Sequence, residues 1–316
     1  MLKQNDLRLV VKIATLYYGE GMKQTDIARA LNLSQSFVSR ALNRSIKDGI
    51  VKISVMQPPN IFSELERGIE RRYGLQQAIV VDATEDEEDA FIRQAIGTAA
   101  AHYLETRLRP GEWVGISSWS STIKAMVSEL HTLTTEAAGV IQLLGGVGVN
   151  GNVQATILTQ SLADMLSCKS WLLPAQSIEG SVDSRIALAA NKDVREVLDK
   201  FDNVTLALVG IGDMEPSQLL RYSGNYYDKN MLTRLAAQGA VGDICLHYYN
   251  AQGQPVLDES EDPAMGMRLE QLKRCPQVVG LAGGRKKLAA IQGALKGGYL
   301  NVLITDFQTA RLLVSD

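Results

Sequence analysis

The sequence predicts an α/β fold, with an N-terminal helix-turn-helix domain (with room for a wing) and a larger, doubly wound α/β domain. Three observations carry that expectation. Residues 22–55 hold two short amphipathic segments joined by Asn-Leu-Ser and followed by a strand-like tail, the pattern of a helix-turn-helix. From Gln77 onward, apolar strand-like runs alternate with longer helical stretches, which points to a parallel sheet covered on both faces. Between the two, the composition breaks at Met56-Gln57-Pro58-Pro59-Asn60, where paired prolines disfavour helix and strand alike. The expected division is residues 1–57, a linker with its own helix over 58–74, and residues 75–316. Two domains suit 316 residues, since single domains run roughly 100 to 200.

In the N-terminal segment, Leu7, Val10, Val11, Ala14 and Tyr18 recur at helical spacing and predict a helix over residues 6–18. Ile27, Ala28 and Leu31 form the inner face of a second helix. Asn32, which tolerates the left-handed conformation, ends it. Ser34 or Ser36 caps a third, with Val38, Ala41, Leu42 and Ile46 as its buried stripe. Gly49 closes that helix, and Ile50–Val55 alternates like a strand. The opposite face of the third helix carries Gln35, Ser36, Ser39, Arg40, Asn43 and Lys47. These side chains suit DNA: Arg to guanine, Asn or Gln to adenine, Lys and Ser to phosphate. Ser36, Ser39, Arg40 and Asn43 are expected nearest the bases, with Gln35, Arg44 and Lys47 on phosphates. The alternative is a plain three-helix bundle with a solvated polar face. Charge favours DNA. Residues 1–57 carry nine Lys or Arg against four Asp or Glu, whereas the whole chain is −3. A basic module on an acidic body fits a chain in which only that module meets a polyanion.

After the linker, IFSELERGIERRY over 61–73 reads as a charged helix whose narrow stripe, Ile61, Leu65 and Ile69, faces its own domain or a partner subunit. Strand-like runs follow at 78–81, 113–116, 140–144, 171–173, 204–209, 278–281 and 302–304, with helices over 88–108, 120–130, 152–168, 182–201 and 286–297. Residues 243–256 contain a turn signal between strand-like runs and read as a hairpin. The acidic run Thr84–Asp89 reads as a solvated loop. The three cysteines, Cys168, Cys245 and Cys275, are far apart, which fits a reducing compartment and argues against structural zinc. No apolar run reaches the roughly 18 residues that span a bilayer. The expectation is a soluble, cytoplasmic chain.

In open α/β sheets, ligands bind where strand ends lead into helix N-termini. One such loop, Ser117-Ser118-Trp119-Ser120-Ser121-Thr122, offers five hydroxyls, a donor set for an anion at a helix start; ordinary capping needs only one of them. A second, Leu144–Gly151, contains Gly145, Gly146 and a formal GxGxxG. The acid that a dinucleotide site requires about 20 positions later is missing, so no nicotinamide cofactor is expected. A third, Gly283-Gly284-Arg285-Lys286-Lys287, sets three cations at a helix start, where they oppose the macrodipole unless an anion lies beneath them; the other reading is three solvated side chains. Asp243 alone reads as a turn or cap residue, although a carboxylate there also accepts sugar hydroxyls. The three histidines form no HExxH, and there is no GxSxG. No catalytic residue, metal or cofactor is assigned, and the chain is not expected to be an enzyme.

Five ordered blocks carry a family resemblance: Leu16–Leu42, Leu143–Gly148, Ala207–Met214, Gly239–Gly253 and Gly280–Asp306. In these the chain resembles the SorC (sorbitol-operon and deoxyribonucleoside regulator) family of sugar-responsive bacterial transcription factors, over nearly its full length. The resemblance implies an effector domain similar to sugar-phosphate isomerases, a sugar or sugar-phosphate effector, operator DNA as partner, and a homo-oligomer, often a tetramer. It implies that Asp243 holds ligand hydroxyls and that Lys287 contacts the ligand, plausibly at a phosphate. It further places the Ser117–Thr122 loop around the ligand and Gly145–Gly146 at the pocket wall, with Gly283 and Gly284 in the third loop. The loop after Ile116 lacks the glycine of the family's Ser-Trp-Gly pattern. Lys23 stands where many relatives have Thr, exchanging a cap for a phosphate contact. The rival from another class is a sugar-phosphate isomerase or deaminase with an appended DNA-binding module.

Overall fold

The structure, a computed structural model, describes residues 4–51, 61–83, 89–148 and 151–315. The chain forms two compact units, residues 1–58 and 59–316. In the first, α1 (Gln4–Ala14) runs on as a π-helical turn over Thr15–Gly19, followed by α2 (Gln24–Ala30) and α3 (Gln35–Lys47). The π turn is closed by Glu20 N–H donating to Thr15 O, five residues back. Asn32 adopts φ +53° and ends α2. Ser34, not Ser36, caps α3, its Oγ accepting from Phe37 N–H at 3.2 Å. The core is Val10, Ile13, Ile27, Ala28, Val38, Ala41 and Leu42.

Two expectations in this unit are corrected. In α1, Ile13 is buried while Leu7 and Val11, and Tyr18 of the π turn, are exposed, because the Val10–Ile13 edge packs into the core shared with α2 and α3. In α3 the stripe runs 38, 41, 42, 45, so Ser45 is buried and Ile46 is exposed. Ser45 tolerates that place because its Oγ donates to Leu42 O at 2.7 Å. The expected strand-like tail falls largely on residues 52–55, which lie outside the described residues, as do 56–60 and 84–88.

The second unit opens with α4 (Ser63–Tyr73), β1 (Gln77–Val81), α5 (Asp89–Arg107), β2 (Trp113–Ile116), α6 (Ser121–Glu129), β3 (Gly139–Gln142), α7 (Gln154–Met165) and β4 (Ser170–Trp171). Next come α8 (Val182–Ala189), α9 (Lys192–Leu198), β5 (Leu206–Gly210), α10 (Gln218–Ser223) and α11 (Lys229–Ala237). The chain continues through β6 (Ala240–Ile244), β7 (His247–Asn250), α12 (Leu269–Arg274), β8 (Gln277–Leu281), α13 (Leu288–Lys296), β9 (Val302–Asp306) and α14 (Phe307–Ser315). Seven strands form one parallel sheet in the order β1-β9-β8-β5-β2-β3-β4. Alternate residues feed opposite faces: Ala207 and Val209 enter one core, Leu206 and Leu208 the other. Burial on both sides is why these strands read as continuous apolar runs.

Residues 63–73 are therefore an element of this unit. α4 packs on β1 and α14, burying Ile69 and leaving Ile61 exposed. It also covers the sheet edge: Glu70 Oε1 accepts Ala78 N–H at 2.9 Å and Glu66 Oε1 accepts Val80 N–H at 3.0 Å. The helix expected over 182–201 is broken, because Asn191 starts α9 as a new cap, accepting from Asp193 N–H. The hairpin forms, but its tight turn is Cys245–Leu246, at φ +53° and +63°. The polar signal at 250–254 makes a second turn, in which Asn250 Oδ1 accepts from Gln252 and Gln254 N–H.

Candidate functional site

From β2 the chain winds outward through β3 to β4; from β5 it winds the other way through β8 to β9. The crevice between the carboxyl ends of β2 and β5 is therefore the topological switch point, where open α/β sheets bind ligands. A cavity of about 310 Å³ lies there. It is lined by the loop after β2 (Ser117, Trp119, Ser120, Ser121, Thr122), the loop after β5 (Gly210–Asp213 and on to Arg221), the hairpin (Asp243, Cys245, Leu246, Tyr248) and the loop after β8 (Gly283, Gly284, Lys286, Lys287). Asp89 and Arg93 at the start of α5 complete the wall.

Asp243 and Lys287 are the charged centre. Asp243 is 8 % exposed. Burial pushes its carboxyl up to about 6, against the opposing pull of the Leu246 N–H and the Lys287 charge. Its Oδ2 accepts Leu246 N–H at 2.9 Å, which holds the left-handed Cys245–Leu246 turn. The residue that holds the turn thus also lines the cavity. Gly212 exchanges backbone bonds with Asp243, and a Cβ there would collide with Asp243 Oδ1. Lys287 Nζ donates to Ile211 O at 2.6 Å. Burial lowers its pKa, while Asp213 and Asp243 oppose that shift. The Arg285–Lys287 cations form a separate 3₁₀ turn ahead of α13. Arg285 is exposed and absent from the cavity lining, whereas Lys286 and Lys287 face it.

The hydroxyl loop divides its labour. Ser117 Oγ accepts Gly210 N–H at 2.8 Å, tying β2 to β5. Ser118 is buried behind the cavity, 2.7 Å from Thr159 Oγ1. Ser120 caps α6, accepting from Ile123 N–H at 3.3 Å. Ser121 and Thr122, at the first turn of α6, have no side-chain hydrogen bond among the described residues and line the cavity. They and the helix's unpaired N–H groups form an anion donor set. Gly145 and Gly146 were expected at the pocket wall; the structure sets them one layer back. Gly145 O accepts from Trp119 Nε1 at 2.7 Å and Ser177 Oγ at 2.8 Å, and so positions the indole. A Cβ on Gly145 would strike Gln176 O, and one on Gly146 the Gln142 amide, so both are close-approach glycines.

Asp213, Arg93, Ser217 and Tyr226 line the cavity without having been singled out from sequence. Asp213 had a readable signal: Gly-Ile-Gly-Asp at the carboxyl end of a buried strand. Arg93 and Tyr226 had none, since they arrive from distant helix and loop positions.

In the N-terminal unit, Gln35, Ser36, Arg40, Asn43, Arg44 and Lys47 lie exposed on α3, and Ser39 is half-buried. Arg44 Nε pairs with Asp48 at 3.1 Å, and Ser36 Oγ lies 3.1 Å from Ser34 Oγ. Lys23 is exposed at the start of α2 and makes no side-chain cap bond. No helix among the described residues is long and apolar enough to cross a membrane.

Comparison with known proteins agrees with this architecture. A family model described as "Putative sugar-binding domain" matches residues 58–315. The chain is 29 % identical to the sorbitol operon regulator of Klebsiella pneumoniae, over 99 % of this chain and 100 % of that one. The full-length crystal structure of that regulator superposes with a TM-score of 0.71 at 27 % identity, over 99 % and 100 % of the two chains. The deoxyribonucleoside regulator of Bacillus subtilis (strain 168) is 30 % identical over 98 % of each chain. A solved domain described as "Putative sugar-binding domain of transcriptional regulator DeoR from Pseudomonas syringae pv. tomato" is 48 % identical, with a TM-score of 0.63 over 80 % of this chain and 98 % of that one.

Proposed function

This chain belongs to the SorC family of sugar-binding transcriptional regulators, and we propose that it controls a carbohydrate operon in response to a phosphorylated sugar bound at the β2–β5 crevice. One observation carries the effector class. A single cavity combines anion donors (the α6 start with Ser121 and Thr122, and Lys287) with the buried carboxylate of Asp243. A sugar phosphate has both halves of that match: an anion for the donors and hydroxyls that donate to Asp243 and Asp213. Gly283 and Gly284 let the loop after β8 approach the ligand closely, and Trp119, held at Gly145, closes the side of the pocket after β2. The prediction is that Lys287→Ala abolishes the ligand-induced thermal shift given by sugar phosphates while operator affinity without ligand is kept. An undiminished shift would remove Lys287 from the site.

On the DNA side, α3 enters the major groove, with Ser36, Ser39, Arg40 and Asn43 toward the bases. Lys23, Gln35, Arg44 and Lys47 contact phosphates, Arg44 on release from Asp48. Exposed surface pairs of this kind are weak enough to exchange partners. Arg40→Ala should lower the operator-to-random-DNA affinity ratio, by about 1–3 kcal/mol if the contact is bidentate to guanine; titrations at fixed salt would show it. The regulator acts as a homo-oligomer, with a tetramer as the expected form. Ligand binding shifts operator affinity about 5- to 150-fold for a coupling of roughly 1–3 kcal/mol. The close approach of Asp213, Asp243 and Lys287 is also an acid–base set of the kind an isomerase needs. The relatives are nonetheless named as regulators, and incubation with aldose and ketose phosphates is expected to give no interconversion.

A further inference from the structure

A second cavity, of about 300 Å³, shares the β6–β7 hairpin with the first. Cys245 and Leu246 of the turn line one cavity, and His247, the next residue, lines the other. His247 is buried and Asp262 half-buried, with His247 Nδ1 2.6 Å from Asp262 Oδ2. Asp262 Oδ1 also accepts Tyr227 Oη–H at 3.1 Å and Ala264 N–H at 2.9 Å. Burial alone would raise the Asp262 carboxyl, but His247 and these bonds hold it below the usual carboxylate range. Asp262 is therefore an anionic acceptor, Nδ1 carries the proton it donates, and Nε2 is left over. Among the described residues, His247 Nε2 is buried without a hydrogen-bond partner, and so is Nε of Arg185, a residue that lines the same cavity. Two unsatisfied polar atoms at one cavity need an explanation.

The surrounding charges restrict what can supply it. Arg185 and Arg268 face Asp199, Asp202, Glu259 and Asp262. Arg268 is already paired with Glu259, and the Arg185 Nη2 donates to Glu259 O at 3.1 Å. A phosphate would meet more acid than base, and an ammonium would meet two guanidiniums. A hydroxyl suits the site best. It can accept from a guanidinium or a protonated ring nitrogen and donate to a carboxylate or a neutral one, and this lining offers both kinds of group. Leu198, Phe201 and Met265 add the apolar surface that covers a carbon skeleton, and the volume lies at the small end of ligand pockets, about 300 Å³ upward. We propose that this cavity is a second ligand site, selective for an unphosphorylated polyol or sugar. It stands independently of the phosphorylated effector assigned to the first cavity.

The chain's three histidines make the test direct, because His102 and His131 are exposed and only His247 borders the cavity. Glycerol, ribitol and myo-inositol would be titrated into the full chain while the imidazole nitrogen signals are followed by NMR, with His247→Gln assigning the buried ring. A saturable shift of the His247 signals alone is expected with at least one probe. Arg185→Met should weaken it about tenfold or more, the loss of a hydrogen bond to a charged group, and Lys287→Ala should leave it unchanged. If His247→Gln does not fold, Arg185→Met and Asp199→Asn carry the test, and the buried ring is identified by elimination. Failure of all three probes to move His247, or a response abolished by Lys287→Ala and kept in Arg185→Met, overturns the second site. The latter outcome would place polyols in the first cavity, and the Lys287→Ala response to sugar phosphates would still be read separately.

Discussion

Asp243 joins two jobs that conflict energetically. It stabilises a left-handed turn and presents a carboxylate to the cavity, but burial raises its pKa to about 6. A carboxylate with a folded pKa above its unfolded value favours folding fully below the unfolded pKa. That contribution is lost as pH rises through the folded one. For Asp243 the window runs from the ordinary aspartate value of 3.8 to about 6. Above it the protein bears a desolvated charge, only partly offset by Lys287. Asp243→Asn should therefore stabilise the chain at neutral pH, by about 1–3 kcal/mol for a shift of this size. The gain should vanish near pH 4, at the low end of that window. The same variant should respond less to sugar phosphates. Thermal melts across pH, with and without ligand, check both signs; a loss of stability at neutral pH would mean that the turn, not the charge, dominates. A stabilising change that costs function is what a ligand site under strain produces.

At the level of elements, α4 performs a service that its sequence hides. Its stripe left open whether it faced its own domain or a partner. The structure sets it along edge strand β1, where Glu66 and Glu70 accept the two buried edge N–H groups. An uncovered parallel edge invites pairing with another chain. Glu66→Ala with Glu70→Ala should lower the unfolding free energy read from urea melts, by about 1–3 kcal/mol for each orphaned N–H. Glu66→Gln with Glu70→Gln keeps the accepting oxygens and should recover most of that loss. Equal behaviour of the two pairs would show that the glutamates act through charge instead. Periodicity gave α3 its start, its end and most of its stripe, yet misassigned Ile46, because positions seven and eight residues on from Val38 differ by only one step of rotation. The hairpin turn was misplaced for a related reason. Polar residues at 250–254 signal a turn loudly, whereas Cys245-Leu246 carries no turn chemistry and is held by a carboxylate two positions earlier.

The whole molecule divides into two units, each with its own core. A fragment of residues 59–316 should fold and give the same thermal shift with sugar phosphates as the full chain, with no operator binding. A fragment that stays unfolded, or folds without the ligand shift, would show that the sensor depends on the N-terminal unit. The seven strands and the three loops at their carboxyl ends were legible in the sequence, because apolar runs and glycines report backbone constraints that act locally. Tertiary structure alone decided the order of the strands, and so the crevice at which those loops meet. It also moved Gly145 and Gly146 behind Trp119, brought in Asp213, Arg93 and Tyr226, and set His247 beside Asp262. Those facts depend on contacts between residues far apart in the chain, which periodicity cannot carry.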